Sequence, residues 1–207
     1  MEQPKQTPNS IIISIFVGLG VWLVIMLLAL SWFQSRYIHD FTQHQPAYLQ
    51  ASYTEQWFEQ LLTHLPAKTK DARVIQLWLP DCLCNRFARP HAISAMNLTE
   101  TLGYEHITLI PDSYADELAS LQALNPKTSI ILINHDAVAS WPATPSVLIE
   151  GPLSQLIYIG PLGFGAFCSQ AATSVIENQL LGIPNQTSRA FYNQIGQGCF
   201  CQWPPSK

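Results

Sequence analysis

Charge is scarce in this chain of 207 residues: Lys and Arg number 10, Asp and Glu 14, and together they make up 12%. The few Lys and Arg are scattered and the net charge is −4, so there is no basic stripe of the kind that holds a phosphate backbone. That excludes a nucleic-acid binder. The glycines at 160, 163 and 165 lack the Lys-Ser/Thr that completes a phosphate loop, and read as a turn. His135-Asp136 has no serine in a nucleophile elbow and reads as a loop at a strand end. No cofactor motif is present.

What the chain has instead is one long apolar run. Ile11–Phe33 is 23 residues without a charge, and at about 1.5 Å per helical residue it can cross a hydrocarbon core of roughly 30 Å. It accounts for much of the mean hydropathy of +0.12. Trp32 and Tyr37 stand at its end as interfacial anchors. Ala29-Leu30-Ser31 resembles a small-residue cleavage site, so a signal peptide is the alternative; the length of the run favours an uncleaved anchor. Lys5 before the run and Arg36 after it nearly cancel as orientation signals. A short head, residues 1–10, gives the simplest topology: residues 34–207 on the far, periplasmic side of a bacterial inner membrane. That compartment is oxidising and suits a cysteine-bearing domain.

Residues 34–70 read as a juxtamembrane linker and a helix. From Tyr48 to Leu65 the residues Leu49, Tyr53, Trp57, Phe58, Leu61, Leu62 and Leu65 fall at helical spacing, a packing face that Pro66 ends. From Arg73 strands and helices alternate. Val74–Leu79 reads as a buried strand, Arg86–Leu102 as a helix with Gly103 as its C-cap, and His106–Ile110 as a strand. Tyr114–Leu124 follows as a helix and Ser129–Asn134 as a strand. Ser146–Glu150 and Leu156–Gly160 form a hairpin, and Ala171–Leu181 is the closing helix. The tail, 183–207, reads as irregular. The pattern predicts an α/β domain with a mixed sheet flanked by helices.

The chemistry-bearing residues are five cysteines. Cys82-Leu83-Cys84 lies where a strand feeds a helix. There, unpaired backbone N–H groups and the positive end of the helix dipole favour thiolate. Cys199-Phe200-Cys201 lies in the tail and Cys168 after the hairpin. An odd count leaves at least one thiol without an internal partner.

In several residues this stretch resembles the thioredoxin-like superfamily. Trp78 stands four residues before Cys82 and Pro90 eight after it, and Thr144-Pro145 opens the hairpin as the superfamily's cis-proline does. The likeness covers roughly residues 71–182. It implies a thioredoxin-like sheet with Cys82 as the nucleophile beside Pro145. The departures are specific: Asn85 holds the place of the second cysteine, Cys84 comes one residue early, Gln76 replaces a buried carboxylate, and Asp81 opposes thiolate formation at Cys82. The whole chain also resembles a proteobacterial family with one membrane anchor, a thioredoxin-like domain and a cysteine-rich tail, a likeness that implies an architecture and no activity.

Three readings of the cysteines stay open. In the first, Cys82 exchanges disulfides with a thiol- or disulfide-bearing protein, and Cys84 or Cys168 resolves the intermediate. In the second, Cys199 and Cys201 staple the tail to Cys82, Cys84 or Cys168 in a binding module. In the third, Cys82, Cys84, Cys168, Cys199 and Cys201 hold copper or zinc as thiolates, with His91 and His135 in reserve. The expectation is that at least three sulfurs cluster, with Cys168 paired to Cys199 or Cys201. Cys82 would then be free, and more reactive than Cys84.

Overall fold

The structure, a computed structural model, describes residues 8–124, 126, 128–134, 141–165, 170–171, 173–185 and 189–203. Two units divide at residues 37 and 38. The first is helix α1, Pro8–Tyr37. Within it Ile12–Ser35, 24 residues with a hydropathy of 2.8, is long and apolar enough to span a membrane. The expected head of residues 1–10 lies largely outside the described residues.

The second unit is a mixed α/β domain. After the two-residue strand β1, His39–Asp40, and a 3₁₀ turn, Pro46–Leu49, helix α2 spans Ala51–Leu62. Its buried residues Thr54, Trp57, Phe58 and Leu61 recur at the helical period, as the sequence predicts. Trp57 meets Trp141 edge-on at 4.8 Å.

Strands β2 (Arg73–Leu77), β3 (Glu105–Pro111) and β4 (Ser129–Ile133) are parallel; β5 (Ser146–Glu150) and β6 (Leu156–Pro161) form the antiparallel hairpin. β9, Phe191–Tyr192, joins β6 in parallel, giving a six-stranded sheet in the order β4-β3-β2-β5-β6-β9. Parallel neighbours need crossovers, supplied here by α3, Asn85–Thr101, and by α4, Leu118–Leu124. A small sheet of β7 (Gly163–Phe164) and β8 (Gln170–Ala171) precedes α5, Thr173–Gly182, which packs on α3. α3 ends as expected at Gly103, whose φ of 71° permits a Schellman turn. The N–H of Gly103 donates to Glu100 and that of Tyr104 to Thr99, both at 3.0 Å.

Two expectations need correction. Tyr114–Leu124 is not one helix: a 3₁₀ turn, Asp112–Glu117, precedes α4, with Tyr114 off helical geometry at φ −100°, ψ 20°. The tail is not irregular either. Besides β9, it forms β10, Gln197–Gly198, antiparallel to β1. Two-residue strands are too short to leave a periodic trace in sequence.

One face of the parallel strands is unlike a packed core. The register aligns Gln76 with Thr108 and Val74 with His106, so polar groups share a layer that in a fully covered sheet is aliphatic. His106 Nδ1 pairs with Thr128 Oγ1, while its buried Nε2 has no partner among the described residues. Burial lowers its pKa to about 4, below the 6.5 of an unfolded histidine. The unfolded chain therefore binds the proton first on acidification, and stability falls between about pH 6.5 and pH 4. The loss reaches about 3 kcal/mol. His106→Gln should flatten that slope in denaturant titrations across this window; an unchanged slope would assign it to other groups.

Candidate functional site at the two cysteine pairs

After β2 the chain turns through Pro80 and Asp81, and the N–H of Cys82 donates to Leu79 at 2.9 Å. α3 starts at Asn85, with Cys84 at its N-cap. Cys82 thus sits two residues before the cap, a correction to its expected place at the helix start. The free N–H groups expected there are also engaged: Asn85, Arg86 and Phe87 donate to the carbonyls of Cys82, Leu83 and Cys84 at 3.0, 3.2 and 3.1 Å. The tight turn satisfies the donors that would otherwise face a thiolate.

The tail lies across this turn. Cys82 is bonded to Cys201 and Cys84 to Cys199, with Cα separations of 5.9 and 5.5 Å. The Cys82, Cys84 and Cys201 sulfurs lie within 4.8 Å of one another, so the expected cluster forms. Its pairing differs from the expectation: Cys199 and Cys201 go to the motif cysteines and not to Cys168, and Cys82 is not free. The two C-x-C segments lie against each other, so two bonds form side by side where one to Cys168 would use only half of the pair. Cys168 and His135 lie outside the described residues, and His91 has a partner of its own. In this paired state the sulfurs offer no thiolate to a metal.

Backbone pairing fixes the same contact. Thr144 precedes Pro145, the Thr144–Pro145 bond is cis, and Thr144 forms an isolated antiparallel bridge with Cys201. The Cys201 N–H donates to Thr144 O at 2.8 Å and the Thr144 N–H returns to Cys201 O at 2.9 Å. Cys82 Sγ lies 3.8 Å from that Thr144 carbonyl oxygen. Thr144 Oγ1 donates to Leu77 O at 3.0 Å, tying the rim to β2.

Access is uneven. Cys82, Cys84 and Cys199 are 4%, 3% and 4% exposed, whereas Cys201 is half-buried and lines a small recess of about 190 Å³ with His39, Asp40 and His44. Asp81, expected to repel a thiolate, is exposed and accepts a hydrogen bond from Tyr114 Oη at 2.8 Å. Burial and this carboxylate push the Tyr114 phenol up to about 12, so it stays a donor. Asn85 is buried; its Nδ2 donates to Leu79 O at 2.6 Å and its Oδ1 has no partner among the described residues.

Sequence reasoning missed the role of Thr144, and expected of the aromatic tail segment from Cys199 to Trp203 only that it needs some contact with the domain. Trp203 is only 2% exposed and, with Phe200 against Phe41 at 5.5 Å, fastens the tail. The signal was there: two aromatics within four residues of a cysteine pair in a segment otherwise rich in Asn, Gln and Gly.

A family model described as "Domain of unknown function (DUF6436)" matches residues 54–203. No curated protein matches the chain. Among solved structures, a hypothetical protein from Sinorhizobium meliloti is 12% identical, with a TM-score of 0.50 over 66% of this chain and 81% of that one. An uncharacterized conserved protein from Geobacillus kaustophilus is 15% identical, with a TM-score of 0.49 over 68% and 81%. A thiol:disulfide interchange protein from a Bacteroides species is 13% identical, with a TM-score of 0.35 over 42% of this chain and 61% of its own. At such identity the first likeness shows the fold alone, and the other two carry no argument.

Proposed function

The chain belongs to the DUF6436 family, and we propose that it is a membrane-anchored, thioredoxin-like protein working by thiol–disulfide exchange at the Cys82–Cys201 bond. One observation carries this reading: three sulfurs within 4.8 Å of one another beside the Thr144–Pro145 rim. A bond opened there has a second sulfur in reach. The thioredoxin-like assignment rests on the run of β2-α3-β3-α4-β4 into the β5-β6 hairpin and α5, with Trp78, Pro90 and Pro145 at their places.

In the exchange, a partner thiolate attacks Sγ of Cys201, the least buried of the four. The Cys82–Cys201 bond breaks, and Cys82 leaves as a thiolate that takes a proton from water. The partner's second thiolate then attacks its own sulfur in the mixed disulfide and expels Cys201. Two electrons pass to this protein and the partner dithiol becomes a disulfide. In the return direction Cys82 is the nucleophile on a partner disulfide and Cys201 resolves it. The Cys84–Cys199 bond holds the tail in place meanwhile, so reclosure stays intramolecular. Two disulfides persist in an oxidising compartment, which supports placing residues after α1 on the periplasmic side of a bacterial inner membrane.

The burial of Cys82, Cys84 and Cys199 favours a second reading, in which both bonds are structural and the domain is a binding module. Equilibrating the full chain in detergent with graded glutathione buffers, then alkylating and mapping by mass spectrometry, separates the two. Exchange requires Cys82–Cys201 to open under native conditions while Cys84–Cys199 persists. If both bonds resist until denaturant is added, they are staples.

A further inference from the structure

Away from the cysteines, β2, β3 and β4 do not close against α3 and α4: a cavity of about 780 Å³ remains between them. That is within the size range of small-molecule sites. The sequence makes this space in two ways. Its floor is the polar layer of Gln76, His106 and Thr108, where the residues of opposite parity on the same strands are Ile75, Leu77, Ile107 and Leu109. On α3, the small residue Ala92 leaves room above that floor. A layer that served only packing would carry aliphatic groups at Gln76 and Thr108 as well.

The lining chemistry is one-sided. Trp78, Ile93, Met96, Ile110, Leu121 and Ile130 give apolar walls, and among the described residues no carboxylate lines the cavity. Arg86 and Arg89, three residues apart on α3 and therefore on one side of it, both border the space and are exposed. Neither is in an ion pair among the described residues. Two lining residues also hold buried polar atoms with no partner among the described residues, Asn85 Oδ1 and His106 Nε2. Such an atom costs about 1–3 kcal/mol unless a hydrogen bond meets it.

We propose that this cavity binds a small carboxylic acid with an apolar body and a hydroxyl group. Arg86 and Arg89 take the carboxylate, the Trp78–Met96 side takes the body, and the hydroxyl meets the unpartnered Nε2 of His106. The inference is independent of the disulfide chemistry, since every group it uses is in place with both bonds formed.

The test titrates the oxidised full chain in detergent with 3-(4-hydroxyphenyl)propionate by calorimetry and by amide chemical shifts. Saturable binding is expected, with shifts at Gln76, His106 and Thr108. The 3-phenylpropionate analogue, lacking the hydroxyl, and the primary amide of the acid should each bind at least tenfold more weakly. The exposed double variant Arg86→Gln/Arg89→Gln should lose at least tenfold for the acid and almost nothing for the amide. Absence of saturation by the acid at millimolar concentration would overturn the proposal. So would equal affinity for the acid and its amide, or shifts confined to α1 or the detergent-facing surface. The disulfide map of the same sample, taken separately, reports on the exchange reading, so either reading can fail without the other.

Discussion

Replacing all four paired cysteines by alanine should lower the stability of the domain by about 4–5 kcal/mol, whereas replacing either pair alone should cost no more than about 1–2 kcal/mol. The bonds span 119 and 115 residues, and closing a loop of that length removes about 5 kcal/mol of chain entropy from the unfolded state. The second bond closes almost nothing new. Once Cys82 is joined to Cys201, Cys84 and Cys199 are separated only by the short path through Leu83 and Phe200. The effect is therefore strongly non-additive, as expected of groups sharing one constraint. Urea denaturation of the wild type, Cys82→Ala/Cys201→Ala, Cys84→Ala/Cys199→Ala and the quadruple variant measures it. Equal, additive losses for the two pairs would show that they do not close a common loop.

A comparable loss, about 3–5 kcal/mol, is expected for Trp203→Ala. The indole is 2% exposed and joins the main core, so truncation leaves a cavity the backbone cannot fill. Its buried Nε1 has no hydrogen-bond partner among the described residues, which makes Trp203→Phe the informative control. That change removes an unsatisfied donor along with part of the ring, so its net cost should stay below about 2 kcal/mol. The readout is the urea midpoint with both disulfides intact. If Trp203→Ala leaves it unchanged, the bonds alone hold the tail.

The parts of this fold that are periodic were legible in the sequence. The α2 face, the β5–β6 hairpin and the Gly103 stop all follow from local pattern, because each is dictated by neighbours within a few residues; Pro145 at the hairpin's start is what the resemblance implies. The cysteine pairing was not legible. Five cysteines admit fifteen ways of forming two bonds, and what selects among them is the Thr144–Cys201 bridge and the burial of Trp203. Both are contacts between distant segments that no spacing rule encodes. Helix onset was misread for a related reason. The distance from Trp78 to Pro90 fits a helix beginning at Cys82, but the turn through Cys82–Cys84 delays it to Asn85. The buried polar layer at Gln76, His106 and Thr108 was likewise visible only once the strands were in register.

The long separation of the paired cysteines has a consequence for the order of events as the chain is made. Cys82 and Cys84 emerge more than a hundred residues before either native partner, at a stage when β9 and β10 do not exist and β6 has a bare edge. During that interval the thiols nearest at hand are each other and then Cys168. Synthesis from the N-terminus therefore presents wrong partners first and right ones last. Correct pairing is a late event, coupled to arrival of the tail and to the reshuffling of any earlier bond.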